Sequence, residues 1–215
     1  NSGNAAAAPI AGTTTGVEAG QTVTLAITDG TGTVTVTAIV NPDGSYNTTA
    51  DLSGLADGPL TVTASVSDTA GNPATATDTA ALDTTAAITV SLEDVNSGSA
   101  AAAPITGTTN GVEAGQTVTL QITDGTATVT VTAIVNPDGS YTTTADLSTL
   151  ADGPLTVTAT VSDTAGNPAT ATDTAALDTT AAITVSLDDV NGGNVATAPI
   201  TGTTNGVEAG QTVTL

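Results

Sequence analysis

Apolar and polar residues alternate with a period of two along nearly the whole chain. In Thr128-Val129-Thr130-Val131-Thr132-Ala133, the residues Val129, Val131 and Ala133 share one face and the threonines the other. Such alternation predicts half-buried strands, and residues 84–178 carry seven of them: 87–92, 105–108, 117–123, 127–135, 141–145, 155–162 and 169–177. A helical period is missing, apart from a candidate single turn at 147–151. The breaks between strands are explicit. Asp124-Gly125 signals a tight hairpin, Asn136-Pro137-Asp138-Gly139 a longer one, and Thr164-Ala165-Gly166-Asn167 closes the last two strands. Pro104, Pro154 and Pro168 fall at strand entries, where a missing N–H is harmless.

Seven short strands with regular turn signals predict an all-β, immunoglobulin-like sandwich. The unit recurs. Gly-Val-Glu-Ala-Gly-Gln-Thr-Val-Thr-Leu starts at Gly16, Gly111 and Gly206, a spacing of 95 residues each time, and residues 1–92 differ from 96–187 at eight positions. That period is too long for a solenoid repeat and matches a small domain. The expected organisation is a linear array: 1–83 a repeat without its first strand, 84–178 a complete one, and 179–215 the beginning of a third. The abrupt ends read as a window cut from something longer.

Composition sharpens this picture. Among 215 residues there are 21 Asp and Glu, but no Lys, Arg, His or Cys, giving a formal charge of −21. With no basic partner, these carboxylates must be matched by solvent and salt or by bound cations. An oxygen-only ligand set favours a hard cation, calcium before magnesium, over zinc or copper. The apolar residues are mostly Val, Ala, Leu and Ile, with two Tyr and no Phe, Trp or Met, so the core is thin at about 25 cal/mol per Å² buried. A thin, self-repelling sandwich is expected to lean on metal. The acidic balance argues against nucleic acid and anionic membranes as partners. No apolar run approaches the ~18 residues of a membrane span, and no signal-peptide pattern opens the chain.

Asp163-Thr-Ala-Gly-Asn167 ahead of a strand and Asp178-Thr-Thr-Ala resembles the tandem bacterial immunoglobulin-like extender repeats of giant RTX-type, biofilm-associated adhesins. So do Asn136-Pro-Asp-Gly-Ser-Tyr141 and Leu150-Ala-Asp-Gly153. The likeness covers the whole chain. It implies extracellular, cell-surface repeats that bind calcium, often at domain junctions, and hold a distal binding region away from the cell. Glycine-rich calcium nonapeptides are missing from this sequence, so the secretion route is not legible in it.

Alternating strand directions sort the loops to two ends and so place the carboxylates. Glu113, Asp138, Asp163 and Asn167 share the end where a repeat begins. Glu93, Asp94, Asn96, Asp124, Asp146, Asp152 and Asp178 share the other. Candidate calcium ligands at the first junction are Asp83, Glu113, Asp163 and Asn167. Asp178, Asp94 and Glu208 would serve the second, with Asp189 repeating Asp94 and with Asp68, Asn72 and Glu18 as the first-repeat copies. The glycine-free linker Thr84-Thr85-Ala86 suits a joint stiffened by metal. The plainer reading of Asp29, Asp43 and Asp57, each before Gly, is as turn formers. Asp78 and Asp173, inside the last strand, read as solvated or edge-protecting groups.

Catalysis is not expected, because a nucleophilic Ser or Thr has no His or Lys as base. The threonine rows could order water, but Thr is simply a strong strand former. Tyr46 and Tyr141 read as the largest pieces of their cores, each with its hydroxyl on a rim partner. The expected function is a calcium-rigidified structural extender whose partners are neighbouring repeats. The alternative is a self-assembling subunit of an extracellular fibre, sheath or surface layer, in which other copies complete the unpartnered strands.

Overall fold

The computed structural model describes residues 1–193 and 195–215. The chain forms two compact units. One comprises Asn1–Ala87, Asn110–Glu113 and Ser162–Ala169, and the other comprises Ile88–Thr109, Ala114–Val161 and Thr170–Leu215.

In the first unit a 3-10 turn, Ala5–Ala7, leads into β1 (Ala8–Thr13), β2 (Thr22–Thr28), β3 (Thr33–Ile39), β4 (Ser45–Ala50), β5 (Gly58–Ser67) and β6 (Pro73–Leu82). Strands β1 and β4 pair antiparallel, Gly12 opposite Tyr46, and β3-β2-β5-β6 make the facing sheet. The inward sides of both sheets meet in one core of Val23, Leu25, Ile27, Val40, Ala50, Leu52, Leu60 and Leu82, with Ile10 and Tyr46 partly buried against it. This is the all-β sandwich that the period-two pattern predicts.

The second unit is built mainly from β7 (Ala87–Ile88), β8 (Ser91–Leu92), β9 (Val95–Asn96), a 3-10 turn at Ala100–Ala102, β10 (Ala103–Asn110), β11 (Thr117–Thr123), β12 (Thr128–Ile134), β13 (Ser140–Ala145), β14 (Gly153–Ser162) and β15 (Pro168–Asp178), of which the end residues Ala87, Asn110, Ser162, Pro168 and Ala169 fall to the first. One sheet is β13-β10-β7 with β8 also on β10, and the other is β12-β11-β14-β15-β9. Beyond them lie β16 (Ala182–Ile183), β17 (Ser186–Leu187), β18 (Ile200–Thr201) and β19 (Thr204–Asn205), in two small exposed pairs, β16 with β19 and β17 with β18.

Strand boundaries agree with the pattern to within a residue or two, with informative exceptions. The strand expected at 87–92 is broken in its middle, where the Thr89 hydroxyl takes the Thr108 N–H at 3.0 Å and the Thr89 carbonyl accepts the Tyr141 hydroxyl; the same break recurs at 184–185, where Thr184 Oγ1 takes the Thr203 N–H. Residues 95–96, expected as loop, add a parallel strand to the edge of β15, Val95 opposite Leu177. The candidate helical turn at 147–151 is a single bonded turn, Leu150 N–H to Leu147 O at 3.0 Å, while 3-10 turns form at the alanine triplets instead.

Carboxylates hold the crossing from one sheet to the other. Asp173 Oδ2 accepts the Leu92 N–H at 3.0 Å and Asp94 Oδ1 accepts the Ala176 N–H at 2.8 Å. Asp173 is therefore more than a solvated edge group: it ties the first strand of the repeat to the last. Tyr141 is 1% exposed, and burial pushes its phenol up to about 12.

Candidate functional site

The carboxylates find partners of a kind that composition alone does not suggest, namely backbone N–H groups and Thr or Ser hydroxyls. Asp124 shows the pattern. Its Oδ1 accepts the Thr126 N–H (2.8 Å), the Thr126 hydroxyl (2.8 Å) and the Ala127 N–H (2.7 Å), and its Oδ2 accepts the Ala151 N–H at 2.8 Å. The backbone donors of Ala127 and Ala151 hold its carboxyl well below the usual range. Asp29 repeats the arrangement with Thr31, Gly32 and Ala56. These residues are turn formers that also tie the hairpin to a second loop. Asp124→Ala is expected to destabilise the protein, because several donors lose one acceptor at once. Urea unfolding should show it as a lower midpoint at unchanged slope.

Three of the expected ligands converge in the first unit. The Asn167 backbone N–H donates to Asp163 Oδ1 at 2.7 Å, and its side-chain Nδ2 donates to Asp163 Oδ2 at 2.6 Å, Asp83 O at 3.1 Å and Asp83 Oδ1 at 3.2 Å. Asn167 Oδ1 accepts the Ser2 N–H at 2.6 Å, and Asn1 Nδ2 donates to Ala165 O at 2.9 Å. The loop is shaped by Gly166, at φ +90°, and by the Gly166 N–H bond to Asp163 O at 3.2 Å. Asp163 is 5% exposed and Asn167 1%. Burial raises the Asp163 carboxyl, but the side-chain and backbone donors of Asn167 outweigh it and hold it below its ordinary value. Glu113 stands one residue away, with its Oε2 accepting the Thr164 N–H at 2.9 Å.

The linker joins this cluster. Asp57 accepts the Thr84 N–H at 3.1 Å on each oxygen, the Thr84 hydroxyl at 2.8 Å and the Thr85 hydroxyl at 3.1 Å. On the other side the Thr85 carbonyl packs so close to Gly111 that a Cβ there would sit 2.5 Å from it. Residues 83–85 are thus held by hydrogen bonds and close packing through groups that need no cation.

The first-repeat copies make the same local bonds without this enclosure. Asp68 accepts the Asn72 N–H and Nδ2, both at 2.7 Å, and Glu18 accepts the Thr69 N–H and hydroxyl, yet Asn72 is exposed. At the far end Asp178 is exposed and accepts the Thr180 N–H at 3.3 Å, and Asp189 and Glu208 lie on the exposed 179–215 segment. Among the described residues no three carboxylates come close enough to hold one metal ion. The participation of Asn1 and Ser2 is not read from the sequence, although they repeat Asn96 and Ser97, in the loop sorted to the same end as the outgoing Asp.

The donor chemistry around Asn167 suits a hard cation in part. Asp163 Oδ2, Asp83 Oδ1 and Asp83 O all point at one position, but that position holds the Asn167 NH₂ group. A calcium ion, which takes six to eight oxygens, would need that amide to turn and Glu113 or water to join. As built, a proton donor closes the cluster.

No protein-family model and no curated protein matches the sequence. Solved structures do. A tetra-tandem repeat from the extending region of a large adhesion protein is 39% identical, over 93% of this chain and 53% of that one, with a TM-score of 0.46. A 1.5-MDa bacterial ice-binding adhesin, solved for its retention at the host cell surface, is 25% identical over 86% and 63% of the two chains, TM-score 0.48. A Ca²⁺-stabilised adhesin that helps an Antarctic bacterium reach out and bind ice is 29% identical over 90% and 50%, TM-score 0.46. The chain spans about half the length of the first of these. Among the described residues, no helix is long and apolar enough to cross a membrane.

Proposed function

We propose that this chain is a structural extender segment of a bacterial cell-surface adhesin, acting by reach and stiffness rather than by chemistry. The observation that carries the reading is the buried pair Asp163–Asn167, closed over linker residue Asp83. Burying a carboxylate and an amide to fix one linker residue is costly unless the joint itself is the function.

Calcium is the finer part of the proposal. Outside a cell, where the ion is plentiful, it would replace the Asn167 NH₂ among the oxygens of Asp83 and Asp163, with Glu113, bonded to the neighbouring Thr164, as a further carboxylate. Where calcium is scarce, the amide closes the cluster alone.

The test is thermal unfolding and small-angle scattering in chelator and in millimolar calcium. Saturation at about 100 times the dissociation constant stabilises by about 2.7 kcal/mol, which raises Tm by about 10 °C for domains of this size. Asp163→Asn should remove most of the gain. Equal Tm and equal dimensions in the two buffers would sink the calcium part and leave a joint held by hydrogen bonds.

A further inference from the structure

The segments where the second sandwich begins and ends, residues 92–96 and 173–178, are tied directly to each other, side by side and in the same direction. Residues 92–96 carry the chain from one sheet to the other: β8 lies on β10, with Leu92 opposite Ile105, and β9 lies on β15. Four ties link the two segments. The Leu92 N–H donates to Asp173 Oδ2 at 3.0 Å, the Ala176 N–H donates to Asp94 Oδ1 at 2.8 Å, Val95 stands opposite Leu177, and Asn96 opposite Asp178. The pairing of β9 with β15 is parallel, whereas β11 pairs antiparallel with both β12 and β14 in the same sheet. Leu92, Val95 and Leu177 are buried, which shields the ladder part of the crossing from water.

The direction matters for a chain under tension. Sequence continues on both sides of this repeat, so a pull along the chain enters before Ala87 and leaves after Asp178. The entering pull draws residues 92–96 toward their N-terminal end, and the leaving pull draws 173–178 toward their C-terminal end. In a parallel pair these are opposite ends. The two segments are dragged past each other lengthwise, and all four ties are stretched together. An antiparallel pair pulled in the same way would open from one end, one bond at a time. Ties that must break in one event raise the barrier to forced unfolding, which is a rate rather than an equilibrium property.

We infer that the crossing of 92–96 with 173–178 is the tension lock of the repeat, with Asp94 and Asp173 as the side chains that share its load. Their carboxylates add two charge-assisted bonds to a ladder only two residues long, and they do so without a cation. The inference adds resistance to tension to the reach and stiffness proposed above, and it rests on that reading for its use.

Single-molecule pulling of the full chain tests it, with handles on introduced cysteines, since the sequence has none of its own. Handles at Thr85→Cys and Thr180→Cys load the crossing lengthwise. Handles at Ser97→Cys and Thr180→Cys, beside the end where Asn96 meets Asp178, peel the same strands apart. All three positions are exposed. The lengthwise geometry should need a several-fold higher unfolding force, in chelator and in calcium alike. At one constant force in that geometry, Asp94→Ala and Asp173→Ala should each speed unfolding about tenfold, and much less when the strands are peeled. Asp146→Ala, which loses its bonds to Ser148 in a loop away from the crossing, should leave the lengthwise rate unchanged.

Equal forces in the two geometries overturn the lock, and this comparison alters no residue of the crossing. A difference seen only in calcium assigns the strength to the metal and overturns it as well. Rates for Asp94→Ala and Asp173→Ala no higher than for Asp146→Ala overturn the role of the two carboxylates. The extender reading fails on a different readout, the dimensions in scattering, so the two failures are told apart.

Discussion

Asn167→Ala is expected to lower stability by about 2–4 kcal/mol, while Asn72→Ala, the same change in a near-identical sequence context, should cost less than about 1 kcal/mol. The difference comes from burial. Both asparagines donate a backbone and a side-chain hydrogen bond to the Asp four residues earlier. Only Asn167 also reaches Asp83 and the Ser2 N–H, and only Asn167 and Asp163 are out of water. Truncation at 167 leaves a buried carboxylate short of its strongest donor and the Asp83 carbonyl without that bond, whereas at 72 solvent replaces what is removed. Urea unfolding of the two variants in parallel measures the contrast, and near-equal losses would show that the enclosure around Asp163 contributes nothing.

Gly107→Ala should destabilise the second unit by about 3 kcal/mol and release the strand of residues 87–92. A Cβ at Gly107 would lie 2.2 Å from the Thr89 carbonyl oxygen and 2.4 Å from the Tyr141 ring and hydroxyl. The first obstacle is backbone and cannot rotate away, so the strand must lift from β10 or the sheet must shift. Hydrogen exchange should then report lost protection at the amides of Thr89 and Leu92, which donate to Thr108 O and Asp173. Two internal controls come with the repeat. Gly202→Ala meets Thr184 O at 2.3 Å, but in an exposed segment whose loss leaves the two sandwiches standing. Gly12→Ala meets only the half-buried Tyr46 side chain, which has room to move. The expected order of loss is Gly107, then Gly12, then Gly202, and any other order would contradict the role assigned to strand 87–92.

Both expectations depend on one feature of this molecule: near-identical sequence placed in different surroundings. Residue type sets the local bonds, and they repeat faithfully. The Asp124 turn copies the Asp29 turn, and the Asp163 loop copies the Asp68 loop. What changes is the cover. Ile10 and Ile105, or Tyr46 and Tyr141, differ in burial because only the second of each pair has a strand laid over it.

The chain by itself determined the strands, the turns and the repeat, because period-two alternation and Asp-Gly or Asn-Pro-Asp-Gly signals act over a few residues, where a side chain meets its near neighbours. It also pointed to Asp83, Asp163 and Asn167 as one cluster, since strand direction sorts loops to ends. Only the tertiary structure decided how the carboxylates are matched, by backbone N–H groups 27 and 51 positions away and a side-chain amide 84 positions away, and that Thr89 turns its carbonyl out of the ladder toward Tyr141. Those partners are distant along the chain, so no local pattern encodes them, and a hydrogen bond takes effect only once packing has excluded the water that would compete for it.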